Sequence, residues 1–394
     1  MSSTWTGCDR DGSDVLTSTT TSTTGQTATS LDRVSVTRPN PTSFIQRGHS
    51  NLDPAQVLAD AGFTALLERL TLSDNIDTGR SAQGASGTVG DCMAVVAHDD
   101  GPELCLIAAK QIVVPDNTLV QATGQRALVL YAPMDIVIKG TLSVSHGGAG
   151  VGVGSDRDVL SILLGGDARL GAAGAGFGSP GGAGGAGGPP GGAVRGNARL
   201  VPLLSGAHGG LDASTRQQPT GGRGGGALQL SAARRIVVQA DAAVLASGEG
   251  GMGHLPVPDV DYVGGSGGGS GGALLLEAPV VRLERGSVVA ANGGGGGGGF
   301  HAPYASQAGQ AGVAGLSPAR GGVASLVSMA GDGGMGASAG QPAKRGQNSV
   351  LNTGGAGGGG GGVGRIRINS RAGAHLNLSG VKLSPLPSYG TLVL

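Results

Sequence analysis

Long runs of glycine that lead directly into short alternating strands most restrict how this chain can fold. The clearest case is GGAGGGGGGVGRIRI, residues 354–368, where a stretch almost free of side chains ends at a pattern typical of a half-buried strand. The chain has 82 glycines in 394 residues, and only nine of them lie in residues 1–90. We therefore expect a repeated β framework with glycine-rich excursions that occupies residues 91–394.

An aliphatic block recurs along this glycine-rich part. The blocks start at Leu104, Leu128, Leu228, Leu274 and Ile366, and each contains short strands with alternating aliphatic residues. The first two starts are 24 residues apart. One block has nothing to pack against, whereas stacked blocks can pair strand to strand and bury a common core. The repeat predicts an all-β fold, a parallel β-helix or solenoid with coils of about 24 residues.

The excursions between blocks have two interpretations that the sequence leaves open. They could be floppy loops, because glycine loses more conformational freedom on ordering than any other residue. They could instead be extended, polyproline-II-like segments packed side by side, because chains without side chains can approach closely. Runs such as residues 293–299 favour the packed interpretation, since long structureless loops are uncommon in compact domains.

The N-terminal part differs in composition from the rest. Residues 1–50 contain a Thr/Ser-rich run and are predicted to form a disordered tether. Residues 51–90 are predicted to contain a helix and a linker, with Asp53 as N-cap and Pro54 in the first helical position. The helix is expected to cap the end of the β-helix through an apolar stripe of Leu58, Phe63, Leu66, Leu67 and Leu70.

Three cysteines bear on location. Cys92 and Cys105 could form a disulfide if the protein is exported, and the alternative is a pair of buried thiols. Cys8 is left over. It follows Thr6 and Gly7 in a TGC sequence similar to the end of a bacterial lipoprotein cleavage site. Cys8 is therefore a candidate for lipidation if the true start lies upstream, since residues 1–50 contain no apolar signal region.

Charge and motifs exclude several function classes. The 26 basic and 26 acidic residues balance, so there is no electrostatic footprint for nucleic acid, and no apolar stretch is long enough to form a transmembrane helix. The seven histidines are dispersed, with no Cys/His spacing typical of zinc, and no P-loop is present. We expect neither a metal site nor a cofactor.

Two enzyme or surface alternatives rest on few residues. Asp135 and Glu277 occupy outward positions in different blocks and could serve as paired carboxylates in a polysaccharide hydrolase or lyase. Thr118 and Thr141 are the only threonines near the positions that an ice-binding ladder would need. Neither set amounts to a catalytic or ice-binding pattern.

Aromatic residues in or beside the excursions suggest a binding role. Loops on one face of a repeat protein commonly form its binding face. The candidate contacts are Phe177, Tyr262, Phe300 and Tyr304.

The motif order also resembles a known group of proteins. RALVLYAPMDIVIKGTLSVS, ARLVPLLSGAHGG, GGSGGGSGGALLLEAP, VVAANGGGGGGG and GGGGGGVGRIRIN resemble the glycine-rich surface or lipoprotein-type proteins of myxobacteria and related deltaproteobacteria. The resemblance covers roughly residues 90–385 and implies export rather than an activity. Together these features predict a non-enzymatic, exported protein with a structural or adhesive role at the cell envelope. The expected partners are cell-surface glycans or envelope components.

Overall fold

The computed structural model describes residues 45–47, 50–52, 66–81, 91–97, 101–146, 168–211, 221–256, 260–325, 329–350, 354–372 and 376–393. These residues form 22 strands, and no α-helix is found among them. The strands lie in three large sheets and one two-stranded ribbon.

The first sheet runs in the order β1 (Ile45–Arg47), β22 (Ser388–Val393), β20 (Arg365–Ser370), β16 (Ala273–Glu277), β12 (Ala227–Ala232), β9 (Ala127–Ala132), β6 (Leu104–Ala108) and β5 (Ala94–Val96). The second sheet runs β17 (Val280–Leu283), β13 (Arg235–Val238), β10 (Asp135–Ile138), β7 (Gln111–Val114) and β2 (Leu70–Thr71). The third sheet runs β21 (Lys382–Ser384), β18 (Val288–Ala290), β14 (Ala243–Leu245), β11 (Thr141–Ser143), β8 (Leu119–Thr123), β3 (Ile76–Ser81) and β4 (Asp91–Cys92). The ribbon pairs β15 (Tyr262–Val263) with β19 (Phe300–His301), and only this pair and β5–β6 are antiparallel among the described strand pairs.

The three sheets share one aliphatic core. Successive strands enter the first, second and third sheet in turn, as β12, β13 and β14 do. Their side chains Leu228, Ile236 and Val244 belong to the same buried cluster. Along the first sheet, Leu228 is paired with Leu274, and Leu274 is paired with Ile366. Stacking of like aliphatic side chains therefore extends the core from strand to strand.

The predicted fold class is wrong as stated. The described strands fall into several separate parallel sheets, no described strand pair joins one large sheet to another, and no closed solenoid is shown. The spacing between paired strands also varies, from 24 residues for Ile112 and Ile136 to 22 for Leu119 and Thr141. The aliphatic repeat reports which residues are buried, but it does not describe the path between strands. The chain is a strand-rich protein with several parallel sheets.

The first strand of the first block is also one residue out of the predicted alignment, whereas the second strand follows it, with Ile112 paired with Ile136. Leu104 is paired with Ala127, and Cys105 is paired with Leu128. A shift of one residue turns every side chain of a strand to the other face. Cys105 and Ile107 consequently face the shared core, while Leu104 packs on the opposite side of the first sheet.

The predicted capping helix is wrong where the structure describes its residues. Its N-terminal portion, including Leu58 and Phe63, lies outside the described residues. Leu66 and Leu67 are in irregular structure, and Leu70 begins strand β2 beside Ile112. The stripe has a strand-like explanation at this end, because alternating Leu70 and Leu72 both enter the shared core.

Described strands come from all three predicted segments. β1 lies within the predicted tether, and β2 and β3 lie within the predicted helix and linker. These three strands pair with β22, β7 and β8, which belong to the glycine-rich part.

The described glycine-rich excursions are packed segments rather than floppy loops, and we call this region the glycine layer. Its central segments are residues 264–272, 293–299 and 355–364, and backbone hydrogen bonds join each one to the other two. Within residues 293–299, every third amide donates to the same neighbouring segment: Gly293 to Ala337, Gly296 to Gly334 and Gly299 to Gly331. A period of three residues is that of the polyproline II helix.

Glycine is required in this layer because the segments lie too close together for a side chain. A Cβ placed on Gly358 would lie 2.0 Å from the carbonyl oxygen of Ser266, and one on Gly361 would lie 2.0 Å from that of Gly269. Both distances are far below van der Waals contact. The bare glycine runs in the sequence are therefore a packing requirement.

Candidate functional site

Two of the four predicted aromatic contacts are buried. Phe177 and Phe300 are each only 1% exposed. Phe177 packs against the first sheet, and the guanidinium of Arg365 lies 5.9 Å from its ring centre. Neither phenylalanine is available to a ligand at the surface, because both rings are buried in the protein interior.

The two tyrosines differ in exposure. Tyr262 is half-buried, and its hydroxyl accepts a hydrogen bond from Arg169 at 3.1 Å while the Arg169 guanidinium lies 4.4 Å from the ring centre. Tyr304 is 57% exposed. Among the predicted aromatic contacts, Tyr304 alone therefore presents most of its side chain to solvent.

Tyr304 is followed along the chain by a regular array of side chains on the glycine layer, all of them exposed except the half-buried Val313. We call this array the outer rows: Gln307, Gln310 and Val313 on one segment, and Ser317, Arg320 and Val323 on the next. The amides of Gln307 and Gln310 donate to the carbonyls of Val323 and Arg320 at 2.9 and 2.8 Å, so the segments run antiparallel. A shallow groove of about 550 Å³ lies between the two rows.

The same threefold pattern continues on neighbouring segments. The Lys344 amide donates to the carbonyl of Met335, and the Gln347 amide donates to that of Asp332, both at 2.8 Å. A polyproline II segment rises about 3.1 Å per residue, so side chains on one row recur at roughly 9 Å. The layer therefore presents a surface with side chains at fixed, repeated positions.

A second candidate site lies on the first sheet, on the face opposite the shared core. We call it the polar patch: Gln229, Ser231, Glu277, Arg367 and Asn369. Ser231, Glu277 and Asn369 are in register on β12, β16 and β20. All five side chains are buried.

An N-terminal segment, residues 45–47 and 50–52, covers this patch. The amide of Ser50 donates to Glu277 Oε2 at 2.8 Å, and its hydroxyl donates to Oε1 at 2.6 Å. Gln229 Nε2 donates to the Ser50 carbonyl. Asn51 Nδ2 donates to Gln229 Oε1 at 3.1 Å. The segment thus satisfies hydrogen-bonding groups of the patch directly.

Glu277 also accepts hydrogen bonds from within the first sheet. Asn369 Nδ2 donates to Oε1 at 2.6 Å, and Gln229 Nε2 donates to Oε2 at 3.1 Å. Burial raises the pKa of Glu277 above its ordinary 4.5, although the bonds from Ser50, Asn369 and Ser231 act to lower it. Ionised Glu277 is therefore held at a cost in free energy.

Asp135 has a different environment on a different sheet. It is buried on β10 of the second sheet, and Arg234 Nε and Arg235 donate to it at 2.7 and 3.0 Å. Burial acts to raise the pKa of Asp135, but the hydrogen bonds and charges of the two arginines outweigh it and the pKa lies below 3.8. The structure does not bring Asp135 and Glu277 together on one exposed face, as a hydrolase pair requires.

The other predicted residues are placed as follows. Cys92 and Cys105 are joined by a disulfide. Cys8 lies outside the described residues. The Thr141 amide bonds to the Thr118 carbonyl, but the line of paired positions beyond Thr141 continues with Ala243 and Val288, so no threonine ladder forms.

The alternating aliphatic blocks predict neither the outer rows nor the segment that covers the polar patch. The outer rows repeat every third residue, which is visible as Gln307, Gln310 and Val313 once that period is considered. The contact between Ser50 and Glu277 joins residues 227 apart, and no local pattern signals it.

Comparison with known proteins adds no relative: no family model, curated protein or solved structure matches the chain. In the described part of the chain, no helix is long and apolar enough to cross a membrane. The described residues also contain no group of three or more His, Cys, Asp or Glu side chains arranged to hold a metal ion.

Proposed function

We propose that this protein is a non-enzymatic, exported surface protein with a structural or adhesive role at the cell envelope. The observation that carries this proposal is the glycine layer with its outer rows. Extensive backbone hydrogen bonding and the absence of side-chain freedom make such a layer rigid, and a rigid layer holds surface contacts in fixed positions with little entropy to lose on binding.

Two further features support export. A disulfide such as Cys92–Cys105 persists in oxidising surroundings outside the cytosol. The resemblance to glycine-rich surface proteins of myxobacteria points the same way, and on this proposal Cys8 is a lipidation site if the chain extends upstream.

The proposed adhesive surface is the groove between the outer rows, which begin at Gln307, three residues after Tyr304. Gln307, Gln310 and Arg320 offer amide and guanidinium groups, and Val313 and Val323 offer apolar contact. This mixture suits a cell-surface glycan, whose rings carry hydroxyl groups on their edges and apolar faces. Repetition of the contacts along the rows lets weak contacts act together on an extended chain.

A glycan array probed with the full chain tests this function, followed by product analysis of every glycan bound. Binding without cleavage, lost in Gln310→Ala and Arg320→Ala variants, is the expected result. Arg282→Ala is the matched control, because Arg282 is an exposed arginine on the second sheet, with a side chain 69% exposed. Cleavage of a bound glycan would favour the polysaccharide hydrolase or lyase over this proposal. Equal loss of glycan binding in Arg282→Ala would show that the outer rows are not the binding surface.

A further inference from the structure

We propose that the polar patch and the adjoining edge of the first sheet form a binding site for a peptide with the sequence of residues 45–52, and that a second copy of this chain can supply that peptide. Strand exchange of this kind makes the same contacts between two chains that are made within one. The inference goes beyond the proposed function and does not rest on it.

The contacts of the segment come from distant parts of the chain. β1 pairs in parallel with β22, placing Ile45 opposite Thr391 at the other end of the chain. Ser50 contacts Glu277 on β16, and Asn51 contacts Gln229 on β12. The segment therefore crosses the first sheet from its edge inward, and its partners all lie far away in sequence.

The site contacts both the main chain and the side chains of the segment. The edge of β22 supplies a strand-pairing partner for β1. Glu277 accepts hydrogen bonds from the amide and hydroxyl of Ser50. The side-chain amide of Gln229 donates a hydrogen bond to the Ser50 carbonyl. Leu52 is 7% exposed and packs in the apolar cluster with Leu200. Edge pairing, a polar anchor and an apolar anchor together are the features of peptide recognition by strand addition.

An empty site would expose unpaired backbone groups and a buried carboxylate. Without β1, β22 is an edge strand with unpaired backbone groups, a template for pairing with another chain. Without Ser50, Glu277 loses two close donors, and a polar group left unsatisfied in a buried position is costly. A second copy carries the matching segment, so it can satisfy both sites.

A peptide experiment tests the site on the full chain. The acceptor chain carries Ser50→Ala and Asn51→Ala, which remove the Ser50 hydroxyl and the Asn51 amide. Asn51 also has φ of 57°, a conformation that alanine adopts poorly. The control chain carries Asn117→Ala, since Asn117 has the same φ of 57° but lies in an exposed turn outside the segment.

Fluorescently labelled peptide IQRGHSNL, residues 45–52, is titrated into both chains and followed by anisotropy. We expect at least about tenfold tighter binding to the acceptor than to the control, because the control's own segment occupies the site. Adding Glu277→Gln to the acceptor should weaken binding, and a peptide with the Ser50→Ala and Asn51→Ala changes should bind less well. Equal binding to acceptor and control, or no binding, overturns the proposal.

Exchange between copies is tested by mixing two full chains. One is the acceptor, and the other carries Glu277→Ala, so that its own site is impaired while its segment is intact. The mixture should contain a species of twice the 38.0 kDa chain mass by light scattering, and neither chain alone should. If Glu277→Ala does not melt cooperatively, Glu277→Gln replaces it. Peptide binding without a mixed dimer would overturn exchange between copies.

Discussion

Replacing Gly361 by alanine gives the most direct test of the glycine layer. Gly361 lies in a central segment, where its amide donates to Gly294 and its carbonyl accepts from Ala337, both at 2.8 Å. The added Cβ would lie 2.0 Å from the carbonyl oxygen of Gly269. Because that oxygen belongs to a packed backbone, relief requires one segment to move away from the other.

The expected destabilisation follows from two contributions. Forcing an extra carbon into a well-packed interior costs about 1–3 kcal/mol, and sometimes more. Displacement of the segment also weakens two hydrogen bonds, each with a net contribution of about 1 kcal/mol. We therefore expect Gly361→Ala to lower the free energy of unfolding by about 3 kcal/mol or more.

Equilibrium unfolding in urea, with the slope m checked for constancy, measures this change. Gly79→Ala is the matched control: Gly79 is exposed on β3, and a Cβ placed on it would lie 3.1 Å from the flexible Asp77 carboxylate. The control should change the free energy of unfolding by no more than about 0.5 kcal/mol. If Gly361→Ala has an effect as small as the control, the packed layer is refuted, because a mobile glycine loop would tolerate the methyl group.

Three further predictions concern the sheets. Leu230→Ala in the shared core should lower the free energy of unfolding by about 2–5 kcal/mol. Leu255→Ala, at a side chain that is 75% exposed, should change it little, and urea unfolding of both variants makes the comparison. Reducing the disulfide between Cys92 and Cys105, which are 13 residues apart, should lower the free energy of unfolding by about 3 kcal/mol. Thermal melts with and without reductant test this through the fall in melting temperature, and an unchanged melt would contradict it. Unfolding free energies measured from pH 2 to 8 should show opposite trends for two carboxyls. The stabilisation from Asp135 is complete above its unfolded pKa near 3.8 and is lost as pH falls through the lower folded pKa. Asp135→Asn should therefore make the free energy of unfolding less dependent on pH in acid. For Glu277, whose folded pKa is raised, stability is greatest below about 4.5 and declines as pH rises through the folded pKa, so Glu277→Gln removes that decline.

The aliphatic blocks could be predicted from sequence because alternation is a local pattern. From Leu128 onward, the block starts predicted at Leu228, Leu274 and Ile366 are paired with one another in the structure. The first strand of the first block is misaligned because its residues 104–107 are all apolar, so the pattern does not show which set faces the core. Burial on both faces of β6 explains this ambiguity.

The sites were less predictable because their residues meet through tertiary structure. An aromatic residue in a glycine-rich segment has no sequence signature for burial, and Phe177 and Phe300 are buried while Tyr304 is exposed. The alternation predicts Glu277 as an outward residue of its strand, but the Ser50 that covers it lies 227 residues earlier in the chain. Only a period-three reading of the excursions would have pointed to the outer rows.

The irregular spacing of the blocks follows from how the glycine layer connects to the sheets. Residues 355–364 lead into β20 and residues 264–272 lead into β16, while residues 291–299 continue from the end of β18. The layer is thus built from the chain as it leaves the third sheet and as it enters the first. Each excursion can contain a different number of packed segments without changing the register of the sheets. Spacings of 100, 46 and 92 residues between block starts are therefore compatible with an unbroken pairing of Leu128, Leu228, Leu274 and Ile366.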